Sequence, residues 1–272
     1  MLMSCDPLAP GVGFAWSQNG METGMKHLLA IAALIALPLP ALAQANAALI
    51  DKGRALFSDT SLSASGQYSC ATCHPVNGHT DNKTYVGVEV VPDGDPKGRS
   101  TPTLWGAGLR QAEWSWAGNI PTIETNIRGI IVNRMKGTEP SKETLEALAA
   151  YVKSLPNGPA PFLNSDGMPR DTAQAAVKRG NALFAGKAGC MTCHVPASYD
   201  KKGPEDVGSG GAFKVPSLRN VSKTGPYFHD GRYKNLDETV AYMSDFYTKK
   251  IGSPDKLTDA EKRDIVEFLK AL

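Results

Sequence analysis

Apolar residues recur at helical spacing in two long stretches of the chain, "SKETLEALAAYVKSL" from Ser141 and "LTDAEKRDIVEFLKAL" from Leu257. Apolar residues at every third or fourth position are typical of an amphipathic helix with one face in a core. Ser141 is suited to cap the first helix, and Thr258 with Glu261 forms a capping box at the start of the second. Both stretches are therefore predicted to be helices that close a structural unit.

A shorter helix is predicted upstream of each closing helix, and the two shorter helices have related sequences. "DKGRALFSD" starts at Asp51, and "VKRGNALFAG" starts at Val177. Gly53 and Gly180 occupy matching positions and suit a point where two helices cross closely. The repetition predicts an all-α fold in which one arrangement is built twice.

Proline and glycine are concentrated between the two copies, from Pro156 to Asp171. This composition interrupts helices and marks a domain boundary. We therefore expect two domains in tandem, at residues 44–158 and residues 159–272.

The remaining apolar run, Leu28–Ala43, follows Lys26 and His27 and ends in Ala-Leu-Ala. A basic start, an apolar middle and small residues at the end are typical of a cleaved secretory signal peptide. The run is shorter than the roughly 20 apolar residues that span a bilayer. We expect residues 1–43 to be a leader with its true start at Met25, and the mature chain to be periplasmic with no transmembrane segment.

The net charge and the positions of the cysteines reduce the number of possible functions further. The formal net charge is +2, which disfavours a strongly basic protein that binds nucleic acid. Loss of the leader would remove Cys5 and leave four cysteines, all within two short repeated motifs. An exported chain favours disulfides, but none of these four cysteines is spare to bridge distant segments.

The two motifs read "SCATCH" from Ser69 and "GCMTCH" from Gly189. Cys-x-x-Cys-His is the attachment signature of c-type heme, in which the thiols bind the porphyrin and the histidine ligates the iron. A redox dithiol would need a βαβ setting that the pattern lacks, and zinc sites usually separate their cysteine pairs by about 15–20 residues. The sequence thus predicts two cytochrome c-like domains, each with a covalently attached heme c. The predicted attachment residues are Cys70, Cys73, His74, Cys190, Cys193 and His194.

The second axial ligand of each iron determines whether a heme carries electrons or reacts. Methionine is usual in cytochromes c. Met135, just ahead of the first closing helix, is the preferred ligand in the first domain. His79 is its rival, but is otherwise expected to be a solvent-exposed loop residue. In the second domain Met243 is preferred to Met191, which lies inside the motif on the proximal side, and the alternative for Met243 is core packing.

Other aromatic residues have expected positions near the hemes. Trp105, Trp114 and Trp116 cluster in the first domain. They are expected to pack against porphyrin, and one of them could also lie between the two hemes. His229, in "PYFHDG", is expected to hydrogen-bond a heme propionate or a loop carbonyl.

The segment from Lys214 to Met243, "KVPSLRNVSKTGPYFHDGRYKNLDETVAYM", closely resembles the second-heme domain of bacterial di-heme cytochrome c peroxidases and MauG proteins. "RSTPTLWGAG" from Arg99 and the following "WSWAGNIPTIE" are a looser match to the first-heme domain of that superfamily. The resemblance implies that Met243 ligates a high-potential heme. MauG has a tyrosine at that place, and Tyr242 is one residue out of register, which favours the peroxidase pattern.

Residues that a peroxidase of this superfamily uses at its first heme are missing. The family's displaceable histidine has no counterpart in "TYVGVEVVPDG" from Thr84, its distal glutamine falls on Asn126, and its glutamate falls near Lys136. Reduction of peroxide requires an accessible iron face and a group that moves a proton. Glu124 and Glu139 are nearby carboxylates that could replace the missing groups.

Two functions remain open from the sequence. One is a periplasmic di-heme cytochrome that transfers electrons, and the other is a peroxidase that reduces hydrogen peroxide with electrons from a small cytochrome or cupredoxin. The resemblance favours the peroxidase, whereas the missing distal residues and the position of Met135 favour electron transfer, and the balance leans slightly to electron transfer. A third reading is a heme subunit of a larger dehydrogenase. The resemblance also implies a calcium ion between the hemes, as the superfamily often has.

Overall fold

The computed structural model describes residues 39–75, 78–85, 98–110, 112–251 and 256–272. The chain divides into two units, Met1–Leu42 and Ala43–Leu272, and the second unit contains both predicted heme domains. The predicted leader, residues 1–43, lies almost wholly outside the described residues. None of the helices in the described ranges is long and apolar enough to cross a membrane.

Helices are the main regular secondary structure of the described residues. The helices of the first half are α1 (Leu39–Phe57), α2 (Cys70–Cys73), α3 (Ile123–Gly129) and α4 (Lys142–Ser154), and those of the second half are α5 (Ala175–Ala185), α6 (Leu236–Ile251) and α7 (Asp259–Ala271). The predicted caps are present. Ser141 Oγ accepts a hydrogen bond from Thr144 N at 3.1 Å, and Thr258 Oγ1 accepts one from Glu261 N at 3.2 Å. Both closing helices therefore begin where their capping residues were predicted.

A glycine lies where α1 crosses α4 and where α5 crosses α7. A Cβ atom at Gly53 would lie 1.9 Å from the carbonyl oxygen of Ala147, and one at Gly180 would lie 2.0 Å from that of Asp264. Only a residue without a side chain permits so close an approach of two backbones. The prediction for both glycines is confirmed, and the sequence repeat is a repeat of structure.

Aromatic rings pack across each crossing one turn further on. The ring centroids of Phe57 and Tyr151 are 5.1 Å apart, and those of Phe184 and Phe268 are 5.3 Å apart, both with edge-to-face geometry. Such pairs contribute about 0.5–1.5 kcal/mol beyond the burial of their area. The two pairs belong to separate buried clusters, so each half has a core of its own.

Two short antiparallel sheets lie in the loops that follow the Cys-x-x-Cys-His motifs. β1 (Thr84–Tyr85) pairs with β2 (Arg99–Ser100), and β3 (Pro204–Asp206) pairs with β4 (Ala212–Lys214). The fold is therefore mostly helical rather than strictly all-α. These strands are too short to show the alternating pattern from which strands are predicted.

The proline- and glycine-rich segment between the halves packs onto the second half. Leu163 is 2% exposed and belongs to the second core. Asn164 N donates to the Met168 carbonyl at 2.8 Å, which closes a tight turn. The Tyr199 hydroxyl donates to the Gly167 carbonyl at 2.7 Å. This segment is a fixed part of the second half rather than a loose connection.

Candidate heme-binding sites

The first motif forms the short helix α2, and its histidine follows directly. Ser69 N donates to Thr72 Oγ1 at 2.9 Å, which closes the turn that carries both cysteines. Cys70 and Cys73 are free thiols, and burial raises the pKa of Cys70 to about 12. A redox dithiol depends on a lowered thiol pKa, so the surroundings of this pair disfavour that alternative.

The second motif forms a tighter, 3-10 turn over Cys190–Thr192. Cys190 and Cys193 are also free thiols, and burial raises the pKa of Cys190 to about 12. His194 Nδ1 lies 2.9 Å from the carbonyl oxygen of Tyr199. When Nδ1 donates its proton to that carbonyl, Nε2 keeps the lone pair that a metal requires. Burial also lowers the pKa of His194, which keeps the imidazole uncharged.

His74 has the equivalent place in the first motif. The backbone of His79, five residues on, raises the pKa of His74, as the backbone of Tyr199 raises that of His194. His74 Nδ1 is nevertheless buried without a hydrogen-bond partner among the described residues. Burial lowers the pKa of His74 to about 4. The imidazole is therefore neutral at physiological pH, as metal ligation requires.

The two histidines have matching aromatic neighbours. The ring centroids of Phe57 and His74 are 6.5 Å apart with the planes tilted by 49°, and those of Phe184 and His194 are 6.3 Å apart and tilted by 50°. Both phenylalanines lie one turn after the glycine of a helix crossing. In both halves, therefore, the phenylalanine of the glycine-containing helix packs in the same way against the histidine of the motif.

These residues fit covalently attached heme better than zinc. In the described ranges, no three His, Cys, Asp or Glu side chains form a group that could hold a metal ion, so the two cysteine pairs do not meet. Each motif instead presents two unbridged thiols beside a neutral histidine, which is the donor set of heme c attachment. Near the first motif, the buried Nε of Arg110 also lacks an acceptor in the described ranges, which indicates that a polar partner belongs there.

Met135 is 2% exposed and ends a π-helical turn, Ile130–Arg134, that continues α3. Its N–H donates to the Ile130 carbonyl at 2.9 Å. Its own carbonyl accepts from Ala64 N at 3.0 Å, in the loop that leads to the first motif. The backbone of this candidate ligand is thus attached to the segment that precedes Cys70.

Met243 lies in the middle of α6. Val240, three residues earlier, is buried in the second core. Tyr247, four residues later, meets Gly189, where a Cβ atom would lie 2.1 Å from the tyrosine ring. Residues three and four apart share one face of a helix, so Met243 lies on the face of α6 that is directed at the second motif.

Comparisons with known proteins agree with this arrangement. The family model described as di-haem cytochrome c peroxidase matches residues 47–178, and the cytochrome c model matches residues 177–272. The methylamine utilization protein MauG of Methylorubrum extorquens is 31% identical over 278 residues, covering 81% of this chain and 76% of that protein. The chain belongs to the di-heme cytochrome c peroxidase and MauG family.

Two further matches, one in sequence and one in fold, agree with this assignment. The cytochrome c551 peroxidase of Nitrosomonas europaea is 27% identical, covering 86% of this chain and 83% of that protein. A chain of the hydrazine synthase of Kuenenia stuttgartiensis has a TM-score of 0.63 and 22% identity, covering 99% of this chain and 100% of that chain, which is a likeness of fold. Membership of the family establishes two cytochrome c-type domains in tandem on a scaffold for electron transfer, with heme c as the cofactor.

Tyr242 does not share the direction of Met243. Its hydroxyl donates to the Val207 carbonyl at 2.7 Å, and its ring packs against Phe228 and Tyr233 at centroid distances of 5.3 and 5.4 Å. This phenol is therefore held on the side of α6 that meets the loops. The tyrosine that the MauG pattern would require is present in the sequence but is directed elsewhere.

The two carboxylates considered for catalysis both form ion pairs at the surface. Glu124 accepts a hydrogen bond from Lys153 Nζ at 2.8 Å. Glu139 forms a bidentate pair with Arg128, with both N–O distances at 2.6 Å. Lys136, near the place of the family's glutamate, is exposed. Residues 86–97, most of the loop that lacks the family's displaceable histidine, lie outside the described residues.

His79 is not a solvent-exposed loop residue, so that expectation was wrong. Its ring stacks on Trp105 with the centroids 4.3 Å apart. Its Nδ1 lies 2.9 Å from Thr103 Oγ1, and its Nε2 lies 3.2 Å from the Lys223 carbonyl. Lys223 belongs to the second half, so His79 connects the two halves. Both ring nitrogens have hydrogen-bond partners, which disfavours His79 as an axial ligand.

Trp116 and His229 meet where the two halves join, with their ring centroids 6.4 Å apart. Trp116 Nε1 donates to the Ser100 carbonyl at 3.0 Å, and Ser100 N donates to the His229 carbonyl at 2.8 Å. His229 is 6% exposed and stacks on Phe213 at 3.6 Å. Trp114 packs against the first core. Of the three tryptophans, Trp116 therefore has the position that suits an aromatic between two hemes.

A buried charge pair beside the second motif was missed in the sequence. Asp200 is 0% exposed and accepts hydrogen bonds from Lys214 Nζ at 3.2 Å and from the Ser198 hydroxyl. Lys214 N also donates to the Trp116 carbonyl of the first half at 2.8 Å. The sequence does not indicate that this pair is buried, because an aspartate and a lysine in a polar loop are expected to be exposed to solvent.

Proposed function

We propose that the protein is a periplasmic di-heme cytochrome that transfers electrons. Each heme, when bound, supplies an iron that cycles between the ferric and ferrous states. Each iron has one histidine and one methionine ligand in this proposal. The proposed axial pairs are His74 with Met135 and His194 with Met243, and the proposed attachment thiols are those of Cys70, Cys73, Cys190 and Cys193.

The observation that carries this proposal is the position of Glu124 and Glu139. Reduction of peroxide needs a group that moves a proton beside an accessible iron face. Lys153 and Arg128 hold these two carboxylates in surface ion pairs, so neither is free for that role. The burial of Met135 supports a filled axial position at the first heme.

The proposed partners follow from the compartment and the cofactor. The sequence of residues 1–43 predicts export to the periplasm. A small cytochrome or cupredoxin, or a dehydrogenase of which this chain is a heme subunit, would exchange electrons with it. The name of the Nitrosomonas relative, a cytochrome c551 peroxidase, supports a small cytochrome.

A calcium ion between the hemes stays a prediction. Since the described residues contain no group of three His, Cys, Asp or Glu side chains that could hold a metal ion, such a site would need backbone or amide oxygens. Equilibrium dialysis of the metal-stripped protein against calcium, followed by elemental analysis, tests this prediction.

Stopped-flow mixing of the half-reduced protein with hydrogen peroxide tests the proposed function. We expect both hemes to keep low-spin, six-coordinate spectra and to show no rapid oxidation. Oxidation at a rate proportional to peroxide concentration, together with a five-coordinate first heme before mixing, would overturn electron transfer as the sole function.

One observation favours peroxide reduction as the second candidate function. Met135 ends the π-helical turn Ile130–Arg134, and such turns are rare and occur frequently at functional sites. A turn of this kind could release Met135 from the iron when the other heme is reduced. Ligand exchange seen on half-reduction, before any peroxide is added, would support this alternative.

A further inference from the structure

Arg110 is held rigidly beside the first motif. It follows the 3-10 turn Ala107–Leu109, and its Nη2 donates to the carbonyl of Thr103 at 2.6 Å and to that of Trp105 at 2.7 Å. The side chains of these same two residues contact His79. The guanidinium therefore has a fixed orientation within the loop that surrounds the first heme site.

The Nε atom of Arg110 is buried and has no hydrogen-bond acceptor within the part of the chain that the structure describes. Burial lowers the pKa of Arg110 to about 10, and the nearby charge of Asp200 opposes this effect. A buried donor on a charged group is costly without an acceptor, because the group has lost its water and gained no hydrogen bond in exchange. A native site rarely keeps such a donor unless a partner completes it.

Residues in the described ranges do not supply that partner. Asp200, the carboxylate whose field acts on Arg110, accepts hydrogen bonds from Lys214 and Ser198 instead. No carboxylate in the described part of the chain accepts a hydrogen bond from Arg110. The charge of the guanidinium acts on the imidazole of His74, and the charge of Asp200 in the second half acts on the guanidinium.

We propose that Arg110 binds a heme carboxylate, a propionate of the first heme, through its Nε–H. Each heme carries two propionates, which are the only anionic groups on the ring edge. A planar guanidinium presents its donors in the geometry that a carboxylate accepts. Arg110 would then orient the first heme from the side where the halves join and would favour the ferrous state by its positive charge. This inference rests on the heme sites proposed above.

Two substitutions and one control test it in the purified, heme-loaded protein. Arg110→Gln removes the charge and the Nε donor, and Arg110→Lys keeps the charge but not the planar fork. Arg54→Gln is the matched control, because it removes one positive charge from the first half at an exposed side chain. The readouts are the propionate bending bands in the resonance Raman spectrum and the two midpoint potentials from a spectroelectrochemical titration.

We expect Arg110→Gln to shift a propionate bending band and to lower the midpoint potential of the first heme relative to that of Arg54→Gln. Arg110→Lys should restore most of the potential but not the position of the band. If Arg110→Gln leaves both readouts unchanged, the guanidinium serves only the two carbonyls or an adventitious ion, and the proposal is overturned.

Two further outcomes are distinguishable. If Arg110→Gln fails to fold, Arg110→Lys decides the question, because an unchanged propionate band in that variant contradicts a guanidinium–propionate bond. If the wild-type protein shows no Soret absorption after expression with heme-maturation factors, the heme proposal itself fails, independently of Arg110.

Discussion

Met243 and Tyr242 are neighbours on α6, but a rotation of about 100° between successive helical residues directs them to different surroundings. Tyr242 donates to the Val207 carbonyl, whereas Met243 shares a face with Val240 and Tyr247. We expect Met243→Ala to leave the second iron without a sixth ligand. The ferric spectrum should become high-spin, added imidazole should bind, and the midpoint potential should fall, because methionine ligation raises it.

Two variants control this prediction. Tyr242→Phe should leave the heme spectra unchanged, because only the hydrogen bond to the Val207 carbonyl is lost. Met191→Ala, inside the second motif, should also keep a six-coordinate heme. Unaltered spectra in Met243→Ala would instead assign Met243 to core packing.

Met135 offers the same test at the first heme. Because its side chain is buried at the end of the π-helical turn, we expect Met135→Ala to open the first iron to imidazole or carbon monoxide. Ligand titration followed by visible absorption measures this directly. Met168→Ala, in the segment between the halves, is the control, and equal ligand binding in both variants would rule out Met135 as a ligand.

The helix crossings allow a sharper test of stability. In Gly180→Ala the new methyl group would lie 2.0 Å from the Asp264 carbonyl oxygen, so α5 and α7 must separate. Overpacking of this kind costs about 1–3 kcal/mol. Gly129→Ala is the matched control, because the nearest atom to its Cβ is 3.8 Å away and its backbone is helical.

Gly129→Ala should leave the unfolding free energy unchanged or raise it by up to about 1 kcal/mol, because alanine stabilises a helix more than glycine does. Denaturant unfolding followed by circular dichroism measures both variants. Equal unfolding free energies in the two variants would contradict the close crossing of α5 and α7.

The cap of α7 predicts a dependence on pH. Thr258→Ala should lower the unfolding free energy by about 1 kcal/mol, because Glu261 N loses its acceptor. The backbone N–H of Thr258 and the ammonium of Lys187 lower the pKa of Glu261 in the folded protein. Its stabilisation is therefore present above the unfolded pKa, near 4.5, and is lost as the pH falls through the lower folded value.

Unfolding of wild type and Glu261→Gln across this acidic range measures that contribution. The two curves should converge as the pH falls and separate as it rises. A constant difference between them would show that the charge of Glu261 does not stabilise the cap.

The features that could be predicted from the sequence are those encoded within a few residues. The glycine at each helix crossing, the phenylalanine one turn later and the Cys-x-x-Cys-His motif are each visible in a short stretch of sequence. All three occur in both halves. Contacts between the halves could not be predicted, because His79 meets the Lys223 carbonyl 144 residues away. The buried Asp200–Lys214 pair joins residues only 14 apart, but an aspartate and a lysine in a polar loop are expected to be exposed to solvent. The burial of Arg110 Nε depends on how the loops pack, which the local sequence does not encode.

The contacts between the two halves predict that Ala43–Leu272 unfolds as one cooperative unit rather than as two independent domains. Ser100 N donates to the His229 carbonyl and Lys214 N to the Trp116 carbonyl, each at 2.8 Å, across the boundary between the halves. If both halves open together, these amides exchange with solvent only on global unfolding. Hydrogen-exchange mass spectrometry of the heme-loaded protein should therefore show peptides containing Ser100 or Lys214 to be as protected as peptides from α5 and α7.

An exposed turn supplies the internal reference for this measurement. Gly66 N donates to the Ser63 carbonyl at 3.1 Å in a solvent-exposed loop, so its amide should exchange early. If the peptides across the boundary exchange as fast as this turn while α5 and α7 stay protected, the halves separate without unfolding. The distance between the hemes would then vary in solution, and the Trp116–His229 contact could not provide a constant route for electrons. Slow exchange across the boundary supports a fixed spacing, which electron transfer between the two hemes requires.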